Sequence, residues 1–587
     1  RAQRTMQRRC AEMLQHVAWS AGRSPKCTVQ PKAGARRVAA CVTGLWPSPV
    51  CYHAGMTIRL SLLAFLLIVG ASSAQSPGLR LFSPTGVNQT QLVDGQGAIV
   101  HAWPGTNSST VHVLDDGTLL RAIANGVVSI PGSTGQLQQM TLDGTIVWDF
   151  VIGNATRAMH HDIEPLPNGN VLVITWDIQT PANAIAAGRD PASITGTVWL
   201  PDSILEIQRT GLTTGDVVWE WHLMDHVIQD FDATKPNYGV IANHPELVDI
   251  NYPPAILADG DWNHSNGLDY EAANDWIVLS CRSQDEIYLI DHSTTTAEAA
   301  GHVGGQRGKG GDLLYRWGNP AAYDSGNLFN KRLNGQHDPR FIRPGLVGAG
   351  HITVFNNVFT STQSAVYEIV VPVNAAGDPE LDPVTGRYGP LAPLWTFQEP
   401  GFFSQFVSSA QRLANGNTLI CSGMQKRMFE VTSTGQTVWS YTHTGTGILF
   451  QAHSVDRSQW SGEELSVAGG QVDFEYLVDS SLAGQTYLLL GSFSGSSPGT
   501  VLPGGVTLPL QADFLTVGML QQANAGPFVD TLGTIGARGE GRSSIVLPAG
   551  LVPAALVGVH MDFSHVIFDP AMVVMQASNR TTVTFTL

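Results

Sequence analysis

The stretch Thr90-Gln-Leu-Val-Asp-Gly-Gln-Gly-Ala-Ile-Val-His-Ala-Trp103 decides the fold, because its pattern returns along the chain. An apolar strand ends near an acidic residue, a glycine turn follows, and a second strand closes on a tryptophan. The pattern recurs in the stretches 138–148, 204–219, 287–317, 366–395 and 428–439. Turn residues between two apolar runs are typical of a β-hairpin. The sequence therefore predicts six hairpins, each ending on a tryptophan.

A second hairpin signal precedes most of these stretches. Examples are Pro167-Asn-Gly-Asn-Val-Leu-Val-Ile174 and Ala414-Asn-Gly-Asn-Thr-Leu-Ile420, where Asn-Gly favours a tight turn. Two hairpins per repeat give four strands, which is the unit of a β-propeller blade. We therefore predict an all-β fold in which residues 75–457 form a six-bladed propeller. The apolar run 447–454 is expected to pair with the first hairpin and close the ring, since closure removes exposed sheet edges.

The composition changes after residue 457. Glycine, serine and proline cluster around residues 491–505, and apolar runs then alternate with turns as far as Leu587. We predict a small C-terminal β-sandwich-like module at 458–587, to which the sequence assigns no role. Long insertions at about 222–260 and 318–334 interrupt the repeats, and such insertions are expected in loops on the binding face.

The N-terminal segment has the features of a processing signal. Met56-Thr-Ile-Arg59 supplies a short positive region, residues 60–69 are nearly all apolar, and Ser72-Ser-Ala74 has the small residues of a cleavage site. We predict that residues 56–74 are a signal peptide and that residues 1–55 are a spurious, untranslated upstream extension. The mature protein is then secreted or periplasmic. The apolar run is too short to span a bilayer, so no membrane span is expected after signal removal.

The composition also limits the partners. The 587 residues carry a formal net charge of -16, with 43% hydrophobic and 14% charged residues. An acidic protein is not suited to nucleic acid, because nothing would offset the phosphates. A site for an anion would have to be built locally. Of the six cysteines, Cys281 and Cys421 lie outside the N-terminal segment, in apolar runs, and we expect both to be buried and unpaired.

The predicted inner strands align histidines on the channel axis. His161 and Ser408 each lie eight residues before the glycine of the following turn, and His264 and His337 occupy the corresponding place by local pattern. Equivalent inner positions of a propeller converge on its axis. We therefore expect the three histidines to face one cavity, with His351 as a further histidine nearby.

Three converging histidines permit two kinds of chemistry. They can bind zinc and leave one position open for water, or act as nucleophile and acid–base groups near neutral pH. The metal-binding spacing His-Glu-x-x-His is absent from the sequence, and no acidic cluster offers a site for a hard cation. We therefore expect neither a metal nor another cofactor.

Four motifs resemble those of the bacterial arylsulfate sulfotransferases, a family that uses no nucleotide sulfate donor. The motifs are Asp261-Trp-Asn-His-Ser-Asn266, Ile277-Val-Leu-Ser-Cys-Arg-Ser-Gln284, Gly335-Gln-His337 and Thr353-Val-Phe-Asn-Asn357. The resemblance implies the six-bladed layout and the transfer of a sulfuryl group from a phenolic sulfate to a phenol through a sulfohistidine. The implied partners are small aryl sulfates and phenols.

The resemblance also implies roles for individual residues. His264 and His337 match the channel histidines that bind and polarise the sulfate. Arg282 matches an arginine of the family's strand motif, although a structural ion pair is an equal alternative for it. The expected substrate-binding residues are His351, Arg282, Asn266 and Ser408.

The chain departs from the family at the nucleophile. The family's nucleophilic histidine lies just before a Phe-Glu-Val run, and Lys426-Arg427 precedes that run here. An arginine expected after Asn357 is also missing. We therefore expect His161, or else His351, to replace the nucleophile, with Arg427 as an anion clamp. The expected catalytic residues are His161, His264, His337 and Arg427.

The departure leaves a second function open. A family member without the nucleophile could use the same channel to bind an anionic ligand or partner without catalysis. A quinone-dependent dehydrogenase would need a carboxylate cluster that the sequence lacks, and a sialidase would need Asp-box turns, which are also missing. The sequence does not indicate the oligomeric state.

Overall fold

The computed structural model describes residues 75–587, apart from residues 77, 106–107, 115, 126–129, 195, 255–259, 456–457, 463 and 503–504. The predicted extension and signal peptide, residues 1–74, lie outside the described residues. The described part is all-β, as the sequence predicts, and is built of many small antiparallel sheets. Cys281 and Cys421 are buried and unpaired, as expected.

Among the described residues up to Val455, six sheets have four antiparallel strands each, and we number them in chain order. Sheet 1 contains Leu449–Val455, Leu79–Pro84, Gln89–Val93 and Ile99–Pro104. Sheet 2 contains Ser108–Val113, Leu119–Ala124, Gly135–Met140 and Ile146–Val151. Sheet 3 contains Arg157–Pro165, Val171–Asp177, Asp202–Arg209 and Gly215–His222.

The remaining three follow the same order. Sheet 4 contains Ser265–Glu271, Trp276–Cys281, Glu286–Asp291 and Tyr315–Trp317. Sheet 5 contains His337–Phe341, Ile352–Thr360, Gln363–Ile369 and Trp395–Phe397. Sheet 6 contains Ser409–Arg412, Thr418–Ser422, Arg427–Val431 and Thr437–Thr442. Each predicted hairpin supplies the last two strands of one sheet, so the predicted hairpins coincide with observed ones.

The first-named strand of each sheet, which we call the inner strand, contacts the inner strand of the next sheet, and that of sheet 6 contacts that of sheet 1. The inner strand of sheet 1 comes after all the other strands of the six sheets in the sequence, since Leu79 pairs with Val455 and Leu81 with His453. The run 447–454 thus joins the sheet of the first hairpin, as predicted, but it pairs with Leu79–Pro84, a strand that the sequence analysis did not identify, and not with the hairpin itself.

The six tryptophans that end the hairpins connect neighbouring sheets. Each indole N–H donates to an oxygen in the connection between the third and fourth strands of the next sheet, over 2.8–3.2 Å. Trp103 donates to Thr141, Trp148 to Thr214, Trp219 to Thr294, Trp317 to Pro390, Trp395 to Ser433, and Trp439 to Gly95. Trp395 is half-buried and the other five are buried.

Buried aspartates make a second set of links near the inner strands. Asp162 of sheet 3 accepts the backbone N–H of Leu268 in sheet 4, at 3.0 Å. Asp269 of sheet 4 accepts from Phe341 at 2.6 Å, and Asp338 of sheet 5 accepts from Ala410 at 3.0 Å. A buried carboxylate is stable when it accepts hydrogen bonds of this kind, so these groups fix the stagger of adjacent inner strands.

Residues 459–586 form two further sheets that share one apolar core. The first contains Gln459–Ser461, Gly470–Leu477, Glu540–Leu547 and Phe528–Val529; the second contains Glu464–Ser466, Thr581–Thr586, His560–Phe568, Thr486–Ser492 and Leu532–Thr534, with Val574–Ala577 paired to it. Trp460 and Leu477 pack with Trp103 and Leu119 of sheets 1 and 2. These C-terminal sheets therefore lie against the beginning of the repeat region.

Short helices and ribbons complete the described chain. The α-helices are Pro181–Ala186, Thr296–Ala299 and Phe514–Gln521, and the 3-10 helices are Pro191–Ser193, Leu223–His226, Ile241–Asn243, Pro320–Tyr323, Ser480–Leu482 and Ala554–Leu556. The two-stranded ribbons are Val227–Ile228 with Val248–Asp249, Leu381–Asp382 with Arg387–Tyr388, and Thr500–Val501 with Thr507–Leu508. None of the described helices combines the length and apolar character that a membrane crossing requires.

Candidate active site at the start of the inner strands

Three of the predicted histidines lie where their inner strands begin or bend. His337 is the first residue of its inner strand, His264 directly precedes one, and His161 lies within the long inner strand of sheet 3. In a four-stranded antiparallel sheet, the start of the first strand and the end of the fourth strand lie at the same end of the sheet. The insertions 223–264 and 318–336 join outer strands to the next inner strands, so they begin and end at this end of the sheets.

The backbone is strained near the starts of the inner strands. The inner strands of sheets 2 to 5 each contain a β-bulge near their start. His161 and His264 have φ of 52° and 49°, and Val407 and Ser408, before sheet 6, have φ of 57° and 93°. Non-glycine residues rarely adopt this region, and for a β-branched valine it is a genuine outlier. Bulges and strain of this kind occur next to active sites, where they aim side chains.

The structure brings His161, His264 and His337 together. The rings of His161 and His264 meet edge to face with centroids 4.7 Å apart. The Phe450 ring, from the inner strand of sheet 1, has its centroid 5.9 Å from that of His161 and 6.4 Å from that of His337. His161 and His337 thus contact one apolar ring, and His264 joins the cluster through His161.

His161 is held by a chain of buried side chains. Its Nδ1 lies 2.9 Å from Nδ1 of His160, and the His160 ring stacks flat on Trp176. The other nitrogen of His160, Nε2, lies 3.3 Å from Oδ1 of Asp202, and both of these side chains are fully buried. This contact is electrostatic, since neither atom makes a hydrogen bond with the described residues. Nε2 of His161 has no hydrogen-bond partner among the described residues. The ring also requires Gly132, where a Cβ would lie 2.1 Å from the imidazole.

His264 is oriented by a carboxylate. Its Nδ1 lies 2.5 Å from Oδ2 of Asp261, whose other oxygen accepts the His264 backbone N–H and the Trp176 indole N–H, both at 3.1 Å. Burial, the largest single cause, raises the pKa of Asp261, but the hydrogen bond and charge of His264, the charge of His160 and the hydrogen bond from Trp176 together lower it below its ordinary value. A carboxylate fixed in this way sets the ring orientation and leaves Nε2 of His264 facing away from it.

His337 differs from the other two because both of its nitrogens are occupied. Nδ1 lies 2.8 Å from the side-chain oxygen of Asn357, and Nε2 accepts the backbone N–H of Val407 at 3.1 Å. The Asn357 amide in turn donates to the carbonyls of Ser404 and Val407. His337 therefore holds the strained segment before sheet 6 in place and has no nitrogen free for a ligand.

Arg282 supplies positive charge at the site. It follows Cys281 at the end of the second strand of sheet 4, on the edge where the inner strands start. Its positive charge lowers the pKa of both His161 and His337. Its guanidinium forms no hydrogen bond or ion pair within the part of the chain that the structure describes. Its charge also acts on Asp285, whose pKa it lowers against the larger effect of burial, but that carboxylate pairs with Lys331. A half-buried arginine whose guanidinium makes no ion pair is a candidate anion clamp.

The electrostatics of the site favour neutral imidazoles. Burial is the main cause that holds the pKa of His161 well below its ordinary value, and His264, His160, His337 and Arg282 lower it further. Burial and then Arg282 lower the pKa of His337 to about 3. Removal from water disfavours the charged form of a histidine, so both rings are neutral at pH 7.

The other predicted site residues lie in different places. Arg427 forms an ion pair with Glu399 and a hydrogen bond with Ser440 on the outer strands of sheet 6. His351 pairs with Glu368 at 2.7 Å, beyond the opposite end of the inner strand that starts at His337. The structure brings neither of them into contact with the three histidines.

Ser408 and Asn266 are buried beside the site. The Ser408 hydroxyl donates to Ser404 and accepts the backbone N–H of Gly423, so it braces the backbone. The Asn266 amide donates to the Gln336 carbonyl at 2.8 Å, while its side-chain oxygen is buried without a hydrogen-bond partner. Of these two residues, Asn266 retains a free polar atom.

A cavity of about 910 Å³ opens at the other ends of the inner strands. Its lining includes His112, Glu164, Arg343, Gln411 and His453, and none of the three histidines described above. The buried pair Asp162 and Asp338 follows His161 and His337 in the chain. Burial, with Asp338 nearby, raises the pKa of Asp162 to about 7. This cavity and the histidine cluster thus lie toward opposite ends of the inner strands.

Sequence reasoning missed several side chains that shape the site. Asp202 comes from the third strand of sheet 3, and Phe450 from the inner strand of sheet 1. Neither carried a motif of its own. Asp261 and Asn357 lay within the quoted motifs, where an acid three residues before a histidine was the available signal.

Fold and site together define an all-β protein with a buried site of histidines and arginine, suited to a small anionic ligand. The chain belongs to the arylsulfotransferase (ASST) family, whose model matches residues 72–486. This membership supports an arylsulfotransferase-like function in general terms. No curated protein matches the sequence.

Among solved structures, several are weakly similar. A Bacteroides caccae protein of unknown function is 14% identical, covering 64% of this chain and 98% of its own, with a TM-score of 0.37. The periplasmic gluconolactonase of Pseudomonas aeruginosa is 11% identical, covering 65% and 99%, with a TM-score of 0.35. Virginiamycin B lyase of Staphylococcus aureus is 10% identical, covering 64% and 84%, with a TM-score of 0.31. At these TM-scores the similarities carry no argument about this chain.

Proposed function

We propose that sheets 1 to 6 are the blades of a closed, six-bladed β-propeller spanning residues 75–457, with a separate module at 458–587. Two features support this architecture. Inner strands contact one another in a ring, and each closing tryptophan donates to the next sheet, from Trp439 back to Gly95. In such an architecture the histidine cluster lies at one mouth of the central channel.

In this channel the protein transfers a sulfuryl group from a phenolic sulfate ester to a phenol through a sulfohistidine. The observation that carries the proposal is the contact between the Nδ1 atoms of His160 and His161, with the buried carboxylate of Asp202 on the far side of His160. One proton can lie between the two facing Nδ1 atoms. If His160 carries its own proton on Nε2, toward Asp202, the shared proton belongs to His161. The lone pair of His161 is then on Nε2, which has no partner among the described residues.

The first half-reaction follows from this arrangement. Nε2 of His161 attacks sulfur, an N–S bond forms and the S–O ester bond breaks, and the electron pair leaves on the phenolate oxygen. His264, protonated on Nε2 and balanced by Asp261, gives its proton to the phenolate. Arg282 neutralises charge on the sulfuryl oxygens. Asp202 stabilises the cationic ring through His160.

The second half-reaction reverses these transfers. The acceptor phenol gives its proton to His264, its oxygen attacks sulfur, and the N–S bond breaks, so that the electron pair returns to Nε2 of His161. His337 acts as a positioning residue, through the segment that ends at Ser408. Small aryl sulfates and phenols are the partners, and the family's members are generally periplasmic or secreted, which supports the same location here.

The test is to incubate the protein with an aryl sulfate donor without acceptor, digest it, and map sulfuryl groups on histidine. We expect acid-labile, base-stable modification of His161, and its loss when a phenol is added. If no histidine is modified and no acceptor-dependent turnover occurs, the transferase is excluded and a binding protein that uses the same channel remains.

Replacing Arg282 with glutamine should lower kcat/KM for aryl sulfate by about 10²-fold, the usual loss for one electrostatic donor in a water-poor site. The matched control is Arg427→Gln, because Arg427 already pairs with Glu399. This control should keep activity within about threefold. Steady-state kinetics decide between the two arginines, and an equal loss in both variants would contradict the assignment of the clamp to Arg282.

The rate of sulfuryl uptake from p-nitrophenyl sulfate should be nearly constant between pH 7.5 and 5.5. This donor has a good leaving group and needs no proton from His264, so its rate reports the nucleophile. A histidine with the ordinary pKa of about 6.5 would lose about tenfold of its neutral form over this range. The pKa of His161 is held well below that value, so its neutral form persists as the pH falls. A tenfold loss in single-turnover rate would contradict the proposal.

A further inference from the structure

Three metal-binding side chains meet outside the channel. His226 ends the 3-10 helix that follows the outer strand of sheet 3, while His302 and Asp312 lie in the connection between the last two strands of sheet 4. Nδ1 of His226 lies 2.9 Å and Nδ1 of His302 lies 2.8 Å from the same oxygen, Oδ1 of Asp312. We propose that His226, His302 and Asp312 form a binding site for one Zn²⁺ ion, independent of the sulfuryl transfer.

The hydrogen-bond partners of His226 are the first argument. Its Nε2 lies 2.8 Å from the backbone carbonyl of Ala299, which can only accept. Its Nδ1 faces Oδ1 of Asp312, the same oxygen that Nδ1 of His302 faces. The ring is fully buried and stacked on Trp221, which fixes this orientation. With a metal between the three ligand atoms, His226 keeps one proton on Nε2 and offers the Nδ1 lone pair.

The second argument is the match to known metal-site chemistry. Metal-ligating histidines usually donate their other N–H to a carbonyl or carboxylate, which fixes the tautomer. Two imidazoles and one carboxylate form a common zinc ligand set, with water in the remaining position. His226 is fully buried and His302 is 61% exposed, so the site is closed on one side and open to water on the other.

The surrounding backbone is built to approach His226 closely. At Gly311 a Cβ would lie 2.6 Å from Nε2 of His226, so this position excludes other residues. The Trp221 indole N–H donates to the Gly311 carbonyl at 2.7 Å. A metal here would tie a glycine-rich connection of sheet 4 to the end of sheet 3. The sequence spacing could not show this, because the ligands come from two repeats.

The test uses the untagged full chain, stripped with a chelator and titrated with Zn²⁺, with bound metal measured by mass spectrometry. We expect about one equivalent, and a rise in Tm of about 3 °C or more at saturation. His302→Ala and Asp312→Asn should weaken binding by at least about 100-fold. His302→Ala removes an exposed side chain and leaves the core intact. The control His244→Ala, at an exposed histidine paired with Glu246 alone, should bind as the wild type does.

Two outcomes would overturn the site: less than a tenth of an equivalent bound by the wild type, or equal binding by wild type, His302→Ala and Asp312→Asn. Substitution with Co²⁺ supplies a second readout, since its absorption spectrum reports coordination by nitrogen and oxygen. A Co²⁺ spectrum that is unchanged in His302→Ala would also count against the assignment.

Discussion

His161→Ala is expected to lower the turnover of aryl sulfate by at least about 10⁴-fold, because it removes the nucleophile and losses of this size follow removal of a covalent catalytic group. The same variant should show no sulfuryl label when incubated with donor alone. Both results follow from the free Nε2 of His161 and from its support by His160 and Asp202. Single-turnover kinetics with mass spectrometry of the labelled peptide measure both.

The matched control is His351→Ala, because His351 is the other candidate nucleophile from the sequence. It pairs with Glu368 and lies away from the cluster, so its removal should leave labelling intact and turnover within about threefold. Label on His351, or full label on the His161 variant, would show that the nucleophile has been misassigned.

Trp219→Ala should lower the free energy of unfolding by about 3–5 kcal/mol, as loss of a buried tryptophan does. Trp219 is 4% exposed, packs with Leu172 and Ile174 of sheet 3 and with Ile277 and Leu279 of sheet 4, and donates to Thr294. The substitution leaves a cavity between two sheets and removes a link between them. Guanidinium unfolding followed by circular dichroism gives the free energy.

Trp395→Ala is the comparison, since Trp395 occupies the same position in its repeat and donates to Ser433 but is half-buried. Its loss should cost less than half as much, because less apolar area returns to water. Equal costs for the two variants would mean that the link, and not the burial, stabilises the sheets.

The repeat pattern predicted the strands well because each hairpin was signalled locally, by a glycine turn before a tryptophan such as Trp148 or Trp439. That the run 447–454 joins the sheet of the first hairpin was also predictable, because an unpaired run and an incomplete repeat remained. Its direct partner, Leu79–Pro84, was not predicted. The partners of the tryptophans were not predictable. Five of the six are backbone oxygens such as that of Gly95, and a backbone oxygen cannot be identified from the sequence; the partner of Trp219 is the Thr294 hydroxyl.

The candidate site was predicted in part. Position within the repeat predicted that His161, His264 and His337 lie together. In the structure His161 contacts His264, and Phe450 contacts both His161 and His337. Which nitrogen each ring leaves free could not be predicted, because that depends on contacts between different repeats. The clearest example is the backbone N–H of Val407, which donates to Nε2 of His337. The sequence favoured Arg427 over Arg282 as the anion clamp, because Arg427 precedes the Phe-Glu-Val run. In the structure Arg427 already pairs with Glu399, which lies 28 residues away in the sequence.

The origin of the inner strand of sheet 1 bears on how the chain folds. Residues that neighbour each other across that pairing, such as Arg80 and Ser454, are 374 positions apart. The edge of Leu79–Pro84 therefore stays unpaired until almost the whole repeat region has been made. Contacts of such long range slow folding, because the entropy of closing the loop is lost before the contacts form. During that interval the open edge can pair with another chain, so the step that completes the sheet also ends the period in which aggregation competes with folding.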